Sequence, residues 1–252
     1  MGRALAHNPQ PLIDPDRRII VLFSPKSACS NVLIWFLHHL GQAQAAREYH
    51  RWPHRYRINI YYRSPLYRRG CRSNLRDFRV IRVVRDPYQR SASSFRHVLG
   101  LPKLSANVAR VLRRPVDSEF SFATFLDYLE ATDLTTCNPH YAIQRHPIED
   151  FLPVDHLVNI SREDLFTRLN EIEADLGLPR SDLAGNSWVK ALARRHHRSN
   201  KRLSGDQYGR VLTRAQARKG PWPDYALLLT PEAKARIARL YGTDFKAYGI
   251  EP

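Results

Sequence analysis

Residues 18–40 constrain the fold more than any other stretch of the chain. The run from Ile19 to Phe23 is apolar and rich in β-branched residues, which predicts a strand buried on both faces. A short loop of small residues with one cation, Lys26, follows, and the apolar segment from Asn31 onward predicts a helix that Gly41 ends. This order predicts an anion site, because free N–H groups and the positive end of a helix dipole face such a loop.

The loop after this first predicted strand is rich in hydrogen-bond donors but has no glycine. Lys26 supplies a full charge, and Ser27, Ser30 and Asn31 supply further donors. A Walker A loop needs glycines and places its lysine at the end, whereas this lysine stands at the start. Phosphate binding is therefore expected, while the ATP interpretation is weakened. An ordinary strand-loop-helix unit with a surface lysine stays open as the alternative.

A second stretch, residues 78–97, repeats the strand-turn-helix pattern. Its β-branched residues predict another strand, and Asp86 followed by Pro87 ends that strand and begins a helix. Arg85 would then stand at the carboxyl end of the strand, where open α/β sheets bind ligands. Ser93 follows about two helical turns later and is expected in the same crevice. A guanidinium and a hydroxyl in this arrangement predict a second phosphate site.

These two stretches carry a resemblance to a known family. Residues 25–31 read P-K-S-A-C-S-N and residues 85–95 read R-D-P-Y-Q-R-S-A-S-S-F, and both resemble motifs of the sulfotransferases that use 3′-phosphoadenosine 5′-phosphosulfate (PAPS). The details resemble the carbohydrate sulfotransferase branch (family 2), from which the chain departs at Ser27, Ser30 and Phe95 without losing a needed polar group. The resemblance implies a three-layer α/β fold with a central parallel sheet, similar to the P-loop NTPases.

The resemblance also implies which residues bind PAPS. The first segment resembles the 5′-phosphosulfate loop, and the second resembles the 3′-phosphate element, whose Arg and Ser stand eight positions apart. Further on, residues 218–220 resemble an R-K-G element that closes on the 3′-phosphate, although a plain turn is the alternative. The implied residues are Lys26, Ser27, Ala28, Cys29, Ser30, Asn31, Arg85, Ser93, Arg218, Lys219 and Gly220.

Two histidines are candidates for the general base. His54 lies between the two motifs, in the interval that holds a catalytic histidine in several sulfotransferases, and is slightly favoured. His140 begins a segment that ends at Gln144 and resembles the family's H-W-x-P-Q, with the proline missing here. For His54 a surface-loop histidine is the alternative, and for His140 a structural one. Lys26 is also expected to be catalytic, because it would stabilise the leaving phosphate oxygen.

Composition favours a single α/β domain. A length of 252 residues with a hydrophobic fraction of 43% allows a substantial core, which we expect over residues 18–252. Residues 1–17 hold three prolines and little periodicity, so we expect a flexible N-terminal arm there. Three cysteines make no disulfide framework, and no apolar run is long enough to cross a membrane. We therefore expect a cytoplasmic protein.

The charge of the chain leaves two other functions open. A net charge of +16 attracts anions, so a basic nucleic-acid-binding protein, with residues 191–202 as its patch, is one alternative. A P-loop-type kinase acting on a small molecule is the other. We expect instead an enzyme that transfers the sulfuryl group of PAPS, in line, to a hydroxyl of a carbohydrate or glycoconjugate, anionic ones included. No metal and no nucleic-acid partner is implied, and the sequence does not predict the oligomeric state.

Overall fold

The structure, a computed structural model, describes residues 2–196 and 203–252. Its strands, in chain order, are β1 Leu12–Asp14, β2 Ile19–Phe23, β3 Arg79–Val84 and β4 His156–Asn159. Its α-helices are α1 Gly2–Leu5, α2 Cys29–His39, α3 Ala43–Tyr49, α4 Pro53–Asn59, α5 Pro65–Arg72, α6 Pro87–Gly100, α7 Pro102–Val111, α8 Phe122–Glu130, α9 Leu165–Asp175, α10 Ser187–His196, α11 Arg214–Arg218, α12 Pro231–Leu240 and α13 Gly242–Ala247. Short 3₁₀ helices cover Tyr61–Arg63, Leu75–Asp77, Pro147–Asp150, Leu183–Gly185 and Tyr225–Leu227.

The contacts between Cα atoms divide the chain into two compact units. The first comprises Met1–Arg85 and Gln144–Arg194, and the second comprises Asp86–Ile143 and Arg195–Pro252. Each unit buries apolar side chains of its own. The expectation of one domain over residues 18–252 stays a prediction. The basic stretch that sequence analysis proposed as a nucleic-acid patch lies partly outside the described residues, at positions 197–202.

The first unit contains a four-stranded sheet in the order β1-β2-β3-β4. Strands β2, β3 and β4 are parallel, with Val21 opposite Ile81 and Val83 opposite Val158, while β1 is antiparallel to β2. All residues of β2 are buried, as its continuous apolar sequence predicts for a strand covered on both faces. The predicted α/β class with a central parallel sheet is confirmed.

Strand β1 corrects the prediction of a flexible arm over residues 1–17. Leu12 and Ile13 are fully buried, and the Tyr61 hydroxyl accepts from the N–H of Ile13 and donates to its C=O, both at 2.8 Å. Three residues are too few to show a strand period, and the prolines on either side favoured a loop. The prediction failed here because pairing with β2 provides the stabilisation that the local sequence does not show.

Helix α2 begins at Cys29, two residues before the predicted start, and ends before Gly41 as predicted. Gly41 adopts a φ of 69°, in the left-handed region. The N–H groups of Gly41 and Gln42 donate to the C=O groups of His38 and Leu37 at 2.9 and 2.8 Å. This is the Schellman arrangement, in which a left-handed glycine lets the chain turn back and satisfy the last carbonyls of the helix.

The second unit is built around helix α6. The Asp86 carboxylate caps this helix by accepting from the N–H groups of Tyr88 and Gln89 at 2.8 and 3.1 Å, which agrees with the predicted start of the helix. Phe95 lies in the middle of α6, and its ring centroid is 5.4–5.9 Å from those of Phe120, Phe122, Phe125 and Trp222. Burial of these large side chains holds the helices of this unit together.

A buried carboxylate joins α2 to α9 in the first unit. Glu173 accepts from the indole N–H of Trp35 at 2.7 Å, from Nε2 of His39 at 3.0 Å and from the N–H of Ser181 at 3.0 Å. Burial alone would raise the pKa of Glu173, but the hydrogen bonds from Ser181, His39 and Trp35 hold it below its usual range. Burial lowers the pKa of His39, so this contact is a hydrogen bond from a neutral imidazole and not an ion pair.

We predict that Glu173→Ala lowers the free energy of unfolding by about 3 kcal/mol, because three buried donors lose their acceptor. Urea denaturation followed by circular dichroism measures this change. Glu171→Ala is the matched control, since Glu171 lies exposed on the same helix and forms an ion pair with Arg168. Equal destabilisation by both substitutions would show that the buried contacts of Glu173 contribute nothing beyond an exposed ion pair.

Candidate active site

The loop between β2 and α2 has a strained backbone. Lys26 and Ala28 adopt φ values of 72° and 55°, in the left-handed region that favours glycine. Such positions cost about 1–3 kcal/mol each for other residues and occur where the surrounding structure enforces them, often at functional sites. Ser27, between the two, is buried, and its N–H donates to the C=O of Ser24 at 3.2 Å. The loop therefore reaches a tight conformation without glycine.

This conformation leaves backbone N–H donors at the start of α2 without an acceptor in the described part of the chain. The N–H of Asn31 donates to the C=O of Ala28 at 2.9 Å. The N–H groups of Ala28, Cys29 and Ser30 have no acceptor within residues 2–196 and 203–252. Successive N–H groups of this kind form an anion-binding concavity, and the helix dipole and the ammonium of Lys26 add positive charge. The residues present thus fit a phosphosulfate group.

The side-chain amide of Gln144 connects this loop to the end of β3. Its Oε1 accepts from the Ser27 hydroxyl and from the N–H of Arg85, both at 3.0 Å, and its Nε2 donates to the C=O of Arg85 at 2.8 Å. The Arg85 guanidinium donates to the C=O of Lys26 at 3.3 Å. Gln144 is only 3% exposed. The structure therefore brings together three of the predicted cofactor residues, Lys26, Ser27 and Arg85.

A buried arginine supports the same corner of the first unit. Arg82, in the middle of β3, is 1% exposed and donates to the Ser24 hydroxyl at 3.0 Å and to the C=O of Gln144. Its Nε lies 3.4 Å from a carboxylate oxygen of Glu149. A charge at this depth is tolerated only when it is paired and hydrogen-bonded. Sequence analysis missed this role, although an arginine interrupting an apolar strand was the available signal.

His54, the favoured candidate base, lies against the loop. Its Nε2 is 3.1 Å from the Ser30 hydroxyl and 3.5 Å from the Cys29 sulfur. The residue belongs to α4 and is 4% exposed, so it is not the surface-loop histidine that sequence analysis kept as the alternative. Its ring centroid lies 5.1 Å from that of Trp52. The structure thus brings a predicted catalytic residue to the predicted phosphosulfate loop.

Burial and a neighbouring cation keep His54 neutral. Burial, and to a smaller extent the charge of Arg57, lower the pKa of His54 to about 3. The Arg57 guanidinium lies over the rings of Phe23 and Tyr62, 5.0 and 5.5 Å from their centroids. Within the described residues, the buried Nε and Nη1 of Arg57 and Nδ1 of His54 have no hydrogen-bond partner. This corner of the unit therefore carries an uncompensated positive charge.

In the second unit, side chains of the predicted second motif form hydrogen bonds with the backbone around His140. Arg90 is buried and donates to the C=O groups of Ala142 and Pro139 at 2.7 and 3.0 Å. The Ser94 hydroxyl donates to the C=O of His140 at 2.6 Å. Motif residues that sequence analysis did not assign therefore hold the backbone around a candidate base.

The ring of His140 is oriented by its neighbours. Nδ1 of His140 donates to the side-chain oxygen of Asn138 at 2.8 Å, which leaves the basic lone pair on Nε2. The ring stacks on that of His97 at 4.1 Å between centroids. Ser93, also on α6, is 8% exposed, and its hydroxyl has no hydrogen-bond partner in the described part of the chain.

The predicted R-K-G element is the end of α11. Arg218 is its last residue, and Nε of Arg218 donates to the C=O of Gly100 at 3.1 Å. The N–H groups of Lys219 and Gly220 both donate to the C=O of Ala215, at 3.0 and 3.1 Å. A Cβ on Gly220 would lie 2.8 Å from the Cα of Gln216, so this close turn requires glycine.

The predicted site residues fall into two groups, one in each unit. The first unit contains Lys26, Ser27, Ala28, Cys29, Ser30, Asn31, His54 and Arg85, and the second contains Ser93, His140, Arg218, Lys219 and Gly220. No three His, Cys, Asp or Glu side chains of the described residues gather as a metal site would require. Over the same residues, no helix has the length and apolar character needed to span a bilayer.

Comparison with protein families decides the class of the protein. The model of the sulfotransferase family matches residues 9–250, nearly the whole chain. The chain belongs to the sulfotransferase family. It falls in the family-2 branch that the motifs indicated and is a transferase whose family uses PAPS as the sulfuryl donor. The kinase and nucleic-acid alternatives are set aside by this match. No curated protein and no solved structure matches the chain.

We predict that Gln144→Leu weakens binding of adenosine 3′,5′-bisphosphate by about tenfold, because Arg85 and Ser27 lose the amide that holds them together. Isothermal calorimetry measures the affinity, and urea denaturation measures the accompanying loss of stability. Gln44→Leu is the matched control, since Gln44 is exposed and its side-chain amide donates to the Glu48 carboxylate. A large loss of stability with unchanged nucleotide affinity would show that Gln144 is structural only.

Proposed function

We propose that this sulfotransferase transfers the sulfuryl group of PAPS to a hydroxyl of a carbohydrate or glycoconjugate. The observation that carries the proposal is the strained loop, which Gln144 joins to Arg85 and whose N–H groups at the start of α2 have no acceptor in the described residues. The loop is suited to an anion, and Arg85 can bind a further phosphate bidentately. The resemblance of the two motifs to the carbohydrate branch supports a sugar hydroxyl as the acceptor.

In this proposal each motif binds one end of the donor nucleotide. Lys26 and the N–H groups of residues 27–31 hold the 5′-phosphosulfate. Arg85 and Ser93 are assigned to the 3′-phosphate by the motif they match. Residues 218–220 are assigned to the same phosphate by their resemblance to the R-K-G element.

The proposed chemistry is an in-line displacement at sulfur. PAPS supplies the activated sulfuryl group. The bond from sulfur to the phosphate oxygen breaks as the bond to the acceptor oxygen forms, and a histidine takes the hydroxyl proton. Lys26 and the loop N–H groups stabilise the charge that develops on the phosphate oxygen. The protein contributes position and electrostatic stabilisation, as in phosphoryl transfer.

We propose His54 as the base and His140 as the second candidate. Contact with Ser30 and Cys29 supports His54, because a base for the acceptor must lie next to the transferred group. Its neutral state at pH 7 leaves a lone pair that can accept a proton. The hydrogen bond from Nδ1 to Asn138 supports His140, since a base oriented in this way presents its other nitrogen.

We predict that adenosine 3′,5′-bisphosphate binds the protein without Mg²⁺ and much more tightly than AMP or ATP. Lys26→Ala and Arg85→Ala should each weaken this binding by roughly 10- to 100-fold, the loss expected when a charged hydrogen bond is removed. Arg180→Ala, at an exposed position of the first unit, is the matched control. Calorimetric titration measures all of these affinities. Equal affinity for AMP and the bisphosphate would contradict the assignment of Arg85.

We predict that His54→Gln lowers kcat by about 100-fold or more while nucleotide affinity stays the same. If His54 is the base, the acidic limb of kcat/KM lies well below pH 6.5, because its pKa of about 3 keeps it deprotonated until strong acid. The value of kcat/KM would be lost as the pH falls through that pKa. His140→Gln is measured in parallel. If kcat falls in His140→Gln alone, His140 is the base. If kcat falls in neither variant, neither histidine is the base.

A further inference from the structure

Three arginines of helix α5 lie close together on the surface of the first unit. Arg68, Arg69 and Arg72, here called the arginine patch, line an open cavity of about 450 Å³ together with Pro65 and Ser73. All three arginines are exposed, and helix α5 contains no acidic residue. The proposed function assigns no role to this surface.

Most of the positive charge of the arginine patch is uncompensated. Arg69 pairs with exposed Asp16 at 2.6 Å, whereas Arg68 and Arg72 have no carboxylate within 4.0 Å among the described residues. Arg68 and Arg72 stand four positions apart, on the same side of the helix, where like charges repel and destabilise it. The negative end of the helix dipole offsets part of this repulsion, because Arg72 is the last helical residue. A bound anion would offset it further.

Helix α5 is fixed against β1, so the arginine patch has a rigid base. A Cβ on Gly70 would lie 2.7 Å from Cγ2 of Ile13 in β1, which shows how closely the helix approaches this strand. The Ser64 hydroxyl caps the helix by accepting from the N–H of Tyr67 at 3.1 Å. Binding of a ligand therefore orders few groups beyond the arginine side chains themselves, which favours recognition.

Two exposed aliphatic residues, Ile58 and Ile60, precede the arginine patch in the chain. Their side chains are 45% and 40% exposed. The C=O of Ile60 accepts from the N–H of Arg63 at 3.1 Å, and the C=O of Arg63 accepts from the Arg68 guanidinium at 2.8 Å. These hydrogen bonds place Ile60 near the patch. Exposed apolar groups beside arginines are typical of surfaces that lie on a membrane, because the apolar groups enter the boundary between head groups and acyl chains.

We propose that the arginine patch docks the protein on anionic phospholipid head groups, with Ile58 and Ile60 entering the surface of the bilayer. Guanidinium groups match the oxygens of a phosphate bidentately. A single-stranded nucleic acid needs exposed aromatic rings on which its bases stack, but Tyr67, the aromatic residue of helix α5, is buried. The surface therefore favours lipid head groups over a nucleic acid. This docking goes beyond the proposed function and does not depend on the donor site.

Co-flotation of the full chain with lipid vesicles tests the docking directly. One set of vesicles contains phosphatidylcholine and phosphatidylglycerol in equal parts, and the other contains phosphatidylcholine alone. We expect binding to the anionic vesicles and much weaker binding to the neutral ones. Raising NaCl to about 0.5 M should weaken the binding, because salt screens the contacts of exposed charges. The double variant Ile58→Ser, Ile60→Ser should weaken it about fivefold at both salt concentrations, since salt does not screen apolar contacts.

Substitutions of arginine separate the patch from the net charge of the chain. The double variant Arg68→Gln, Arg72→Gln should weaken binding to the anionic vesicles roughly 30-fold, from the usual contribution of an arginine near an anionic surface. The double variant Arg162→Gln, Arg180→Gln is the matched control, since it removes the same charge from exposed positions of the same unit and should change binding about twofold at most. Binding of a short DNA duplex is measured for the same proteins by fluorescence anisotropy.

Unchanged vesicle binding by Arg68→Gln, Arg72→Gln, or an equal loss in the control variant, would overturn the docking. If the patch variant loses binding to the duplex but not to the vesicles, the arginine patch is a nucleic-acid site instead. No effect of the isoleucine substitutions would reject their entry into the bilayer. Calorimetry should show the same affinity for adenosine 3′,5′-bisphosphate in all of these proteins, which also shows that they are folded. Failure of the unsubstituted chain to bind the bisphosphate would reject the proposed function and leave the docking intact.

Discussion

Strands β2 and β3 are parallel, so the loops that follow them begin side by side. The side-chain amide of Gln144 holds these two loops together. Gln144 accepts from Ser27 on one side and exchanges two hydrogen bonds with the backbone of Arg85 on the other. Buried beneath it, Arg82 binds the C=O of Gln144 and the Ser24 hydroxyl. The charge of Arg82 is paired with Glu149, so this buried charge is compensated within the unit. The geometry of the loop and of Arg85 depends on this network.

This network also explains how the loop can do without glycine. Left-handed positions at Lys26 and Ala28 cost about 1–3 kcal/mol each. Each hydrogen bond to Ser24 or Ser27 contributes about 0.5–1.5 kcal/mol net, so several are needed to offset that strain. The conformation that glycine allows in other phosphate loops is here imposed by contacts from β3 and from Gln144.

Sequence patterns predicted the parts of this site that depend on local rules. The apolar run of β2, the glycine that ends α2 and the Asp-Pro start of α6 each follow from short-range preferences, and all three are confirmed. Strand β1 was not predicted, because three residues are too few to show the alternating pattern of a strand. The roles of Gln144 and Arg82 were not predicted either, because their partners lie 58–117 positions away in the chain. Their roles exist only once the sheet has formed.

In the proposed reaction, buried His54 and its neighbour Arg57 connect donor binding to the chemistry. Burial, and to a smaller extent the charge of Arg57, lower the pKa of His54, and the buried Nε and Nη1 of Arg57 have no hydrogen-bond partner within residues 2–196 and 203–252. In the proposed reaction, an anion held by the neighbouring loop offsets the charge of Arg57 and stabilises a proton on His54. The imidazole then becomes a stronger base only when the donor is in place. A base too weak in the free protein would in this way gain strength at the step that needs it.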